Sequence, residues 1–154
     1  MAIIMMKTNL NLKKLFKFFL FFGCLLLIFY FSSQTSENSL ELSSKFSDFL
    51  EDVIANYFFL YGFDCSFFVR KLAHFSLYFF LGIITFYLLN EYFSSLIKCF
   101  LFTFFICFFC ACSDEFHQLF VFGRDGKFLD ILIDCSGVLF SFLVLWIIRK
   151  RKLP

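Results

Sequence analysis

Four long apolar runs, separated by charged residues, constrain this chain more than any other feature. Leu15–Phe31 carries only Lys17, and neither Phe75–Leu89 nor Cys99–Ser113 carries a charge. Phe128–Ile148 is interrupted by Asp130 and Asp134 alone. Extended by a turn of flanking residues, each run reaches the ~20 residues that cross the hydrocarbon core of a bilayer. A crossing segment must satisfy its own backbone groups, which an α-helix does. The expected fold class is therefore all-α: an integral membrane four-helix bundle forming a single domain over 1–154. Its spans are expected at about 15–33, 73–91, 97–114 and 128–148. A hydrophobic content of 61% excludes an ordinary soluble globule, which sits nearer ~45–50%, and excludes disorder. A net charge of only +2 points to no nucleic-acid partner.

Lys13, Lys14 and Lys17 ahead of the first run resemble the start of a signal peptide. No small-x-small cleavage site follows, and Ser32-Ser33-Gln34 reads as a membrane exit, so the run is expected to be a retained span. The 31 Phe residues read as lipid-facing filler, interchangeable with Leu. Six of the seven Cys lie in apolar stretches, with Cys65 in a polar one, which gives no disulfide framework. Cys107 and Cys110 form a C-x-x-C without a second pair, so no zinc site is assigned to them.

Orientation follows from Lys and Arg. Nine (Lys7, Lys13, Lys14, Lys17, Lys98, Arg149, Lys150, Arg151 and Lys152) fall on one side and five (Lys45, Arg70, Lys71, Arg124 and Lys127) on the other. The acidic residues split one to eleven in the opposite sense. Both termini are expected in the cytoplasm, with 32–73 and 114–127 outside a cell membrane crossed several times. Within 36–61, Leu42, Phe46, Phe49, Leu50, Val53 and Tyr57 recur at three- and four-residue steps, opposite Lys45, Asp48 and Asp52. That pattern predicts an outer amphipathic helix between spans 1 and 2, lying on the membrane or capping the bundle, with Gly62 as terminator.

The chemistry concentrates at the outer ends of the spans. At 100° per residue, Asp130, Asp134, Gly137 and Ser141 fall within about 60° on the fourth helix. Arg70, His74, Tyr78 and Thr85 fall within roughly 80° on the second. Thr103, Cys107, Cys110, Asp114 and Gln118 form a similar stripe on the third, with His117 beside it. Stripes of this kind turn toward one another rather than toward lipid. The fourteen Leu, Ile, Phe and Val residues of the last span favour insertion by about 4–8 kcal/mol, while two Asp at the bilayer centre cost about 5–7 kcal/mol. The carboxylates must therefore lie shallow, be neutralised, or face a hydrated interior.

Both histidines of the chain belong to this group, together with two Arg, a Tyr, a Gln and several carboxylates. A structural ion-pair network needs fewer members, so the concentration points to a functional pocket. Arg70 and Arg124 suit phosphate or carboxylate contacts. His74, Tyr78, Glu115, Gln118 and Asp134 complete the candidate ligand-binding set. His117 or His74, paired with Asp114 or Asp130, has the chemistry of a general base. Asp130, Asp134, Glu115 and the histidines are also competent metal ligands, but no established ligand spacing occurs. No metal and no cofactor is assigned.

Arg70-Lys71-Leu72-Ala73-His74-Phe75, with Tyr78 and Gly82, resembles the first block of the VanZ-like membrane proteins. Asp114-Glu115-Phe116-His117-Gln118, Phe120, Gly123-Arg124, Asp130, Asp134 and Gly137 resemble the second, and Phe31-Ser32-Ser33-Gln34 is similar to the family's segment after span 1. The resemblance covers roughly residues 15–148. The family's usual Pro between the Gln and the Arg is missing from Leu119-Phe120-Val121-Phe122-Gly123, and Asn often stands where Asp134 does. The resemblance implies a bacterial cell-envelope setting and a phenotype class, since the family's namesake is associated with resistance to teicoplanin, a lipid-tailed glycopeptide.

Two functions are expected from this combination. In the first, the outward polar pocket binds or remodels an envelope lipid or lipid-linked molecule, or a lipid-tailed antibiotic, through Arg70, Arg124 and the carboxylates. In the alternative, an intramembrane acid–base enzyme acts on such a lipid, with His117 as base, Asp114 or Asp130 orienting it, and Arg124 stabilising negative charge. A transporter or channel fits less well, because few polar groups continue into the cytoplasmic halves of the spans.

Overall fold

In the computed structural model the backbone is described for residues 2–42, 44–45 and 65–150, and side chains for 12–42, 44–45 and 67–150. The main helices are α1 (Ala2–Ser32), α2 (Cys65–Leu89), α3 (Leu96–Gln118) and α4 (Phe128–Lys150). Each contains an apolar stretch of membrane-crossing length: Leu12–Ser32, Phe67–Leu89, Leu96–Gln118 and Phe128–Lys150, 21 to 23 residues apiece. At 1.5 Å per residue these are about 32–35 Å long, enough for a ~30 Å hydrocarbon core. These helices overlap the expected spans, and α2 and α3 extend beyond them at the end that carries the polar residues. α2 begins well before residue 73 and α3 runs on past 114, so Arg70, Lys71, Asp114, Glu115 and Gln118 sit on helices rather than in loops.

The helix ends use local chemistry. At the end of α1, the Phe29 carbonyl accepts from the Ser33 backbone N–H at 2.9 Å and from Ser33 Oγ at 2.7 Å, and Gln34 Nε2 donates to the Tyr30 carbonyl at 3.3 Å, one of the carbonyls a helix end leaves open. α4 carries Asp130 in its first turn and Arg149 and Lys150 in its last, the order its dipole favours.

The packing inverts that of a soluble protein. Leu, Phe and Ile residues point outward along every span, Phe19 75% and Phe109 66% exposed among them. The interior mixes small or polar groups, Thr85, Thr103, Cys107, Ala111, Gly137, Val138 and Ser141, with a few large side chains such as Leu81 and Phe86. Small residues let helix backbones approach where lipid removes the hydrophobic drive for association. α2 and α4 run parallel and form the most extensive pair, and α1 lies at the periphery. A Cβ on Gly137 would collide with the Phe75 carbonyl oxygen, and one on Gly82 would collide with Ser141.

Residues 36–42 and 44–45 are helical, so the described part of the expected outer helix is present. Its continuation through 46–61, and Gly62, lie outside the described residues. Asn38, Glu41, Leu42 and Lys45 border a chamber at the bundle end.

Candidate functional site

The site occupies the end of the bundle where α1 and α3 finish and α2 and α4 begin. The glycine contact between α2 and α4 sets its register. One turn outward from Gly137 and Phe75, His74 Nδ1 lies 3.3 Å from Asp134 Oδ1. One further turn out, Lys71 Nζ donates to Asp130 Oδ1, with both side chains largely buried. The polar stripes do face inward. Tyr78, Thr85, Thr103, Asp134 and Ser141 are essentially inaccessible, and Asp114, Glu115, Gln118 and Asp130 are buried.

The last turn of α3 brings two more carboxylates. Gln118 Nε2 donates to Asp114 Oδ2 at 3.2 Å and to Glu115 Oε1 at 3.3 Å. The loop between α3 and α4 returns over this turn, and the Lys127 backbone N–H donates to Glu115 Oε2 at 2.8 Å. Two glycines make the return possible. Gly126 packs so closely on the Glu115 carbonyl that a Cβ has no room, and Gly123 adopts a φ of +72° beside Ser36, a conformation that favours glycine. No proline is needed to place Arg124.

Two cavities meet here. A chamber of about 840 Å³ opens between α1, the 38–45 segment and α2, with walls that include Ile28, Phe31, Val69, Leu77 and Phe80. Its polar side includes Arg70, His74, Asp114 and Arg124. A second cavity of about 140 Å³ is almost wholly polar and is lined in part by Lys71, Gln118, Lys127 and Asp130. Arg70, His74 and Arg124 border both. Burial, and after it the Arg70 guanidinium, lower the pKa of Arg124 from its ordinary value, against the pull of Asp114, Glu115 and Asp130. Arg124 stays charged, so two guanidinium groups face the same space, offset in part by Asp114, Glu115 and Asp130.

Arg70, His74, Asp114, Gln118, Arg124 and Asp130 line these cavities, as does Tyr78 one turn deeper, and Asp134 and Glu115 adjoin them through His74 and Gln118. His117 is placed differently. Its ring stacks on Phe29 of α1 at 4.7 Å, with Nε2 3.1 Å from Ser33 Oγ, so it turns toward α1 and not toward Asp114 or Asp130. The histidine that meets a carboxylate is His74. Lys71 escapes a stripe argument because it lies about 100° around the helix from Arg70, yet its long stem carries the ammonium to Asp130. Its signal in the sequence is its place within Arg70-Lys71-Leu72-Ala73-His74.

A profile of the VanZ/LLP1 family matches residues 16–149. The chain belongs to the VanZ/LLP1 family. No curated protein and no solved structure matches it. The match spans all four membrane-length helices of this VanZ/LLP1 protein and the whole polar site, including the loop without proline.

Proposed function

We propose that this VanZ/LLP1 protein is a cell-membrane protein with cytoplasmic termini whose outward-facing pocket binds or remodels envelope lipids with anionic head groups. The same pocket would account for reduced susceptibility to lipid-tailed glycopeptides such as teicoplanin. The observation that carries this reading is the junction of the two cavities. A chamber walled by aliphatic and aromatic side chains leads directly to two guanidinium groups. An acyl-bearing anion matches both halves: its chain fills the apolar chamber and its head group relieves the repulsion between Arg70 and Arg124. The nine-to-five distribution of Lys and Arg supports turning this end outward.

The test compares wild type with Arg70→Gln/Arg124→Gln at equal abundance in a teicoplanin-sensitive Gram-positive host. Native mass spectrometry of the purified proteins reads co-purified lipid. The reading expects anionic lipid on the wild type, at least tenfold less on the double variant, and any protection from teicoplanin to disappear with it. Equal lipid retention by the two proteins would refute it.

A further inference from the structure

Asp130 has its own cation in Lys71. Of the three carboxylates deeper in the bundle, Asp134 alone meets a basic group at ion-pair distance among the described residues, the His74 imidazole. Asp114, Glu115 and Asp134 are 8%, 4% and 0% exposed, and each offers an oxygen that lies, with a ring nitrogen of His74, in a group whose members are all within 4.8 Å of one another. Gln118 and the Lys127 N–H hold Asp114 and Glu115 from behind. Asp134 is only half satisfied: Oδ1 faces His74, while Oδ2 is buried with no hydrogen-bond partner among the described residues. A buried carboxylate oxygen with no donor is costly, and three carboxylates converging in low dielectric cannot all be ionised without an offsetting charge.

We propose that His74, Asp114, Glu115 and Asp134 form a binding site for a divalent transition-metal ion of the Mn²⁺–Zn²⁺ class. The imidazole disfavours Mg²⁺ and Ca²⁺, which take oxygen ligands, and three carboxylates without a thiolate disfavour soft ions. Ligand atoms at ~2.0–2.2 Å from one ion lie about 3–3.5 Å apart, or up to about 4.4 Å when opposite, so closing the group takes side-chain rotations that draw its widest pairs in by roughly an ångström. The ion supplies the missing partner of Asp134 Oδ2 and offsets the clustered negative charge. His74 and Asp114 also border the large chamber, which gives an ion a route in and places it beside the arginines. Asp130 and His117 are outside the set, one held by Lys71 and the other stacked on Phe29.

The test needs the full chain in detergent, stripped with a chelator and titrated with Mn²⁺, Zn²⁺ or Mg²⁺ alone. Because the ion is the only probe, the outcome is independent of lipid binding. The proposal expects one Mn²⁺ or Zn²⁺ per chain after desalting, a raised Tm on loading, and no comparable response to Mg²⁺. Asp134→Asn and His74→Gln should bind about tenfold or more weakly, and Glu91→Gln, at the other end of the bundle, should bind as wild type does. X-ray absorption of the loaded wild type should contain imidazole scattering, a readout that stands even where a variant fails to fold. Substoichiometric metal on the wild type would overturn the site. So would undiminished binding by folded Asp134→Asn and His74→Gln, or a loaded spectrum without imidazole.

Discussion

The two ends of the bundle carry charge in opposite ways. At the end without the cavities, Lys17 pairs with Glu91, Lys14 Nζ lies 3.6 Å from the same carboxylate, and Arg149 donates to Asn90 Oδ1 at 2.9 Å. These groups sit at the rim, where water and head groups solvate what the pairs leave over. At the other end the carboxylates are buried, two guanidinium groups share one space, and Asp134 Oδ2, the Tyr78 hydroxyl and Arg124 Nε have no hydrogen-bond partner among the described residues. The first arrangement is a tie between helices. The second holds more polar groups, in worse electrostatic balance, than a tie requires, and the proposed ligand site rests on that excess.

Mutations at the two ends should therefore differ in size. The largest effect is expected from Asp130→Ala, which leaves the Lys71 ammonium buried and unpaired, at about 3–5 kcal/mol. Thermal melts in detergent should show the loss, and Lys71→Met/Asp130→Leu should recover most of it. Gly137→Ala comes next, at about 1–3 kcal/mol for overpacking, since its methyl meets the Phe75 carbonyl. It should also speed thiol labelling of Cys135 beside the site while leaving Cys99 at the other end unchanged. Equal acceleration at both cysteines would mean that the ends are not separable.

The smallest effect is expected from Glu91→Gln, below about 1 kcal/mol for a rim ion pair. Its pH dependence sharpens the comparison. Lys17 first, with Lys14 after it, holds the Glu91 carboxyl below its ordinary value of 4.5. A lowered folded-state pKa contributes stability above the unfolded value and loses it as pH falls through the folded one. The Tm gap between wild type and Glu91→Gln should thus be present at neutral pH and close below 4.5. A gap that persists in acid would place its origin in packing and not in charge.

Much of this was legible from periodicity. Residues at three- and four-residue steps share a helix face in any helix, so the stripes through His74 and Tyr78, Asp114 and Gln118, and Asp130 and Asp134 had to exist once the spans were helical. Their mutual orientation followed from the cost of turning them toward lipid. What periodicity leaves out is reach and rotation. Lys71 lies off its stripe and arrives through a flexible stem. His117, about 60° from Asp114 around α3, falls on the α1 side of a boundary that only packing draws. The choice of Asp114 over Asp130 for the carboxylate cluster likewise depends on Lys71, a contact between helices nearly sixty residues apart in sequence. The tight return of 119–127 rests on Gly123 and Gly126, whose need for space shows only when the neighbouring carbonyl and Ser36 are in place.

The central claim is that the polar end is arranged for a ligand and not for stability, and Arg124→Gln tests it in one melt. The Tm of this variant and of wild type would be read in detergent with and without an added anionic phospholipid. The account predicts that the variant melts at or above wild type without lipid, because burial and Arg70 both act against the Arg124 charge, and that lipid raises the Tm of wild type alone. A variant that melts several degrees lower without lipid, with both proteins responding equally to it, would make Arg124 a structural tie and contradict the account.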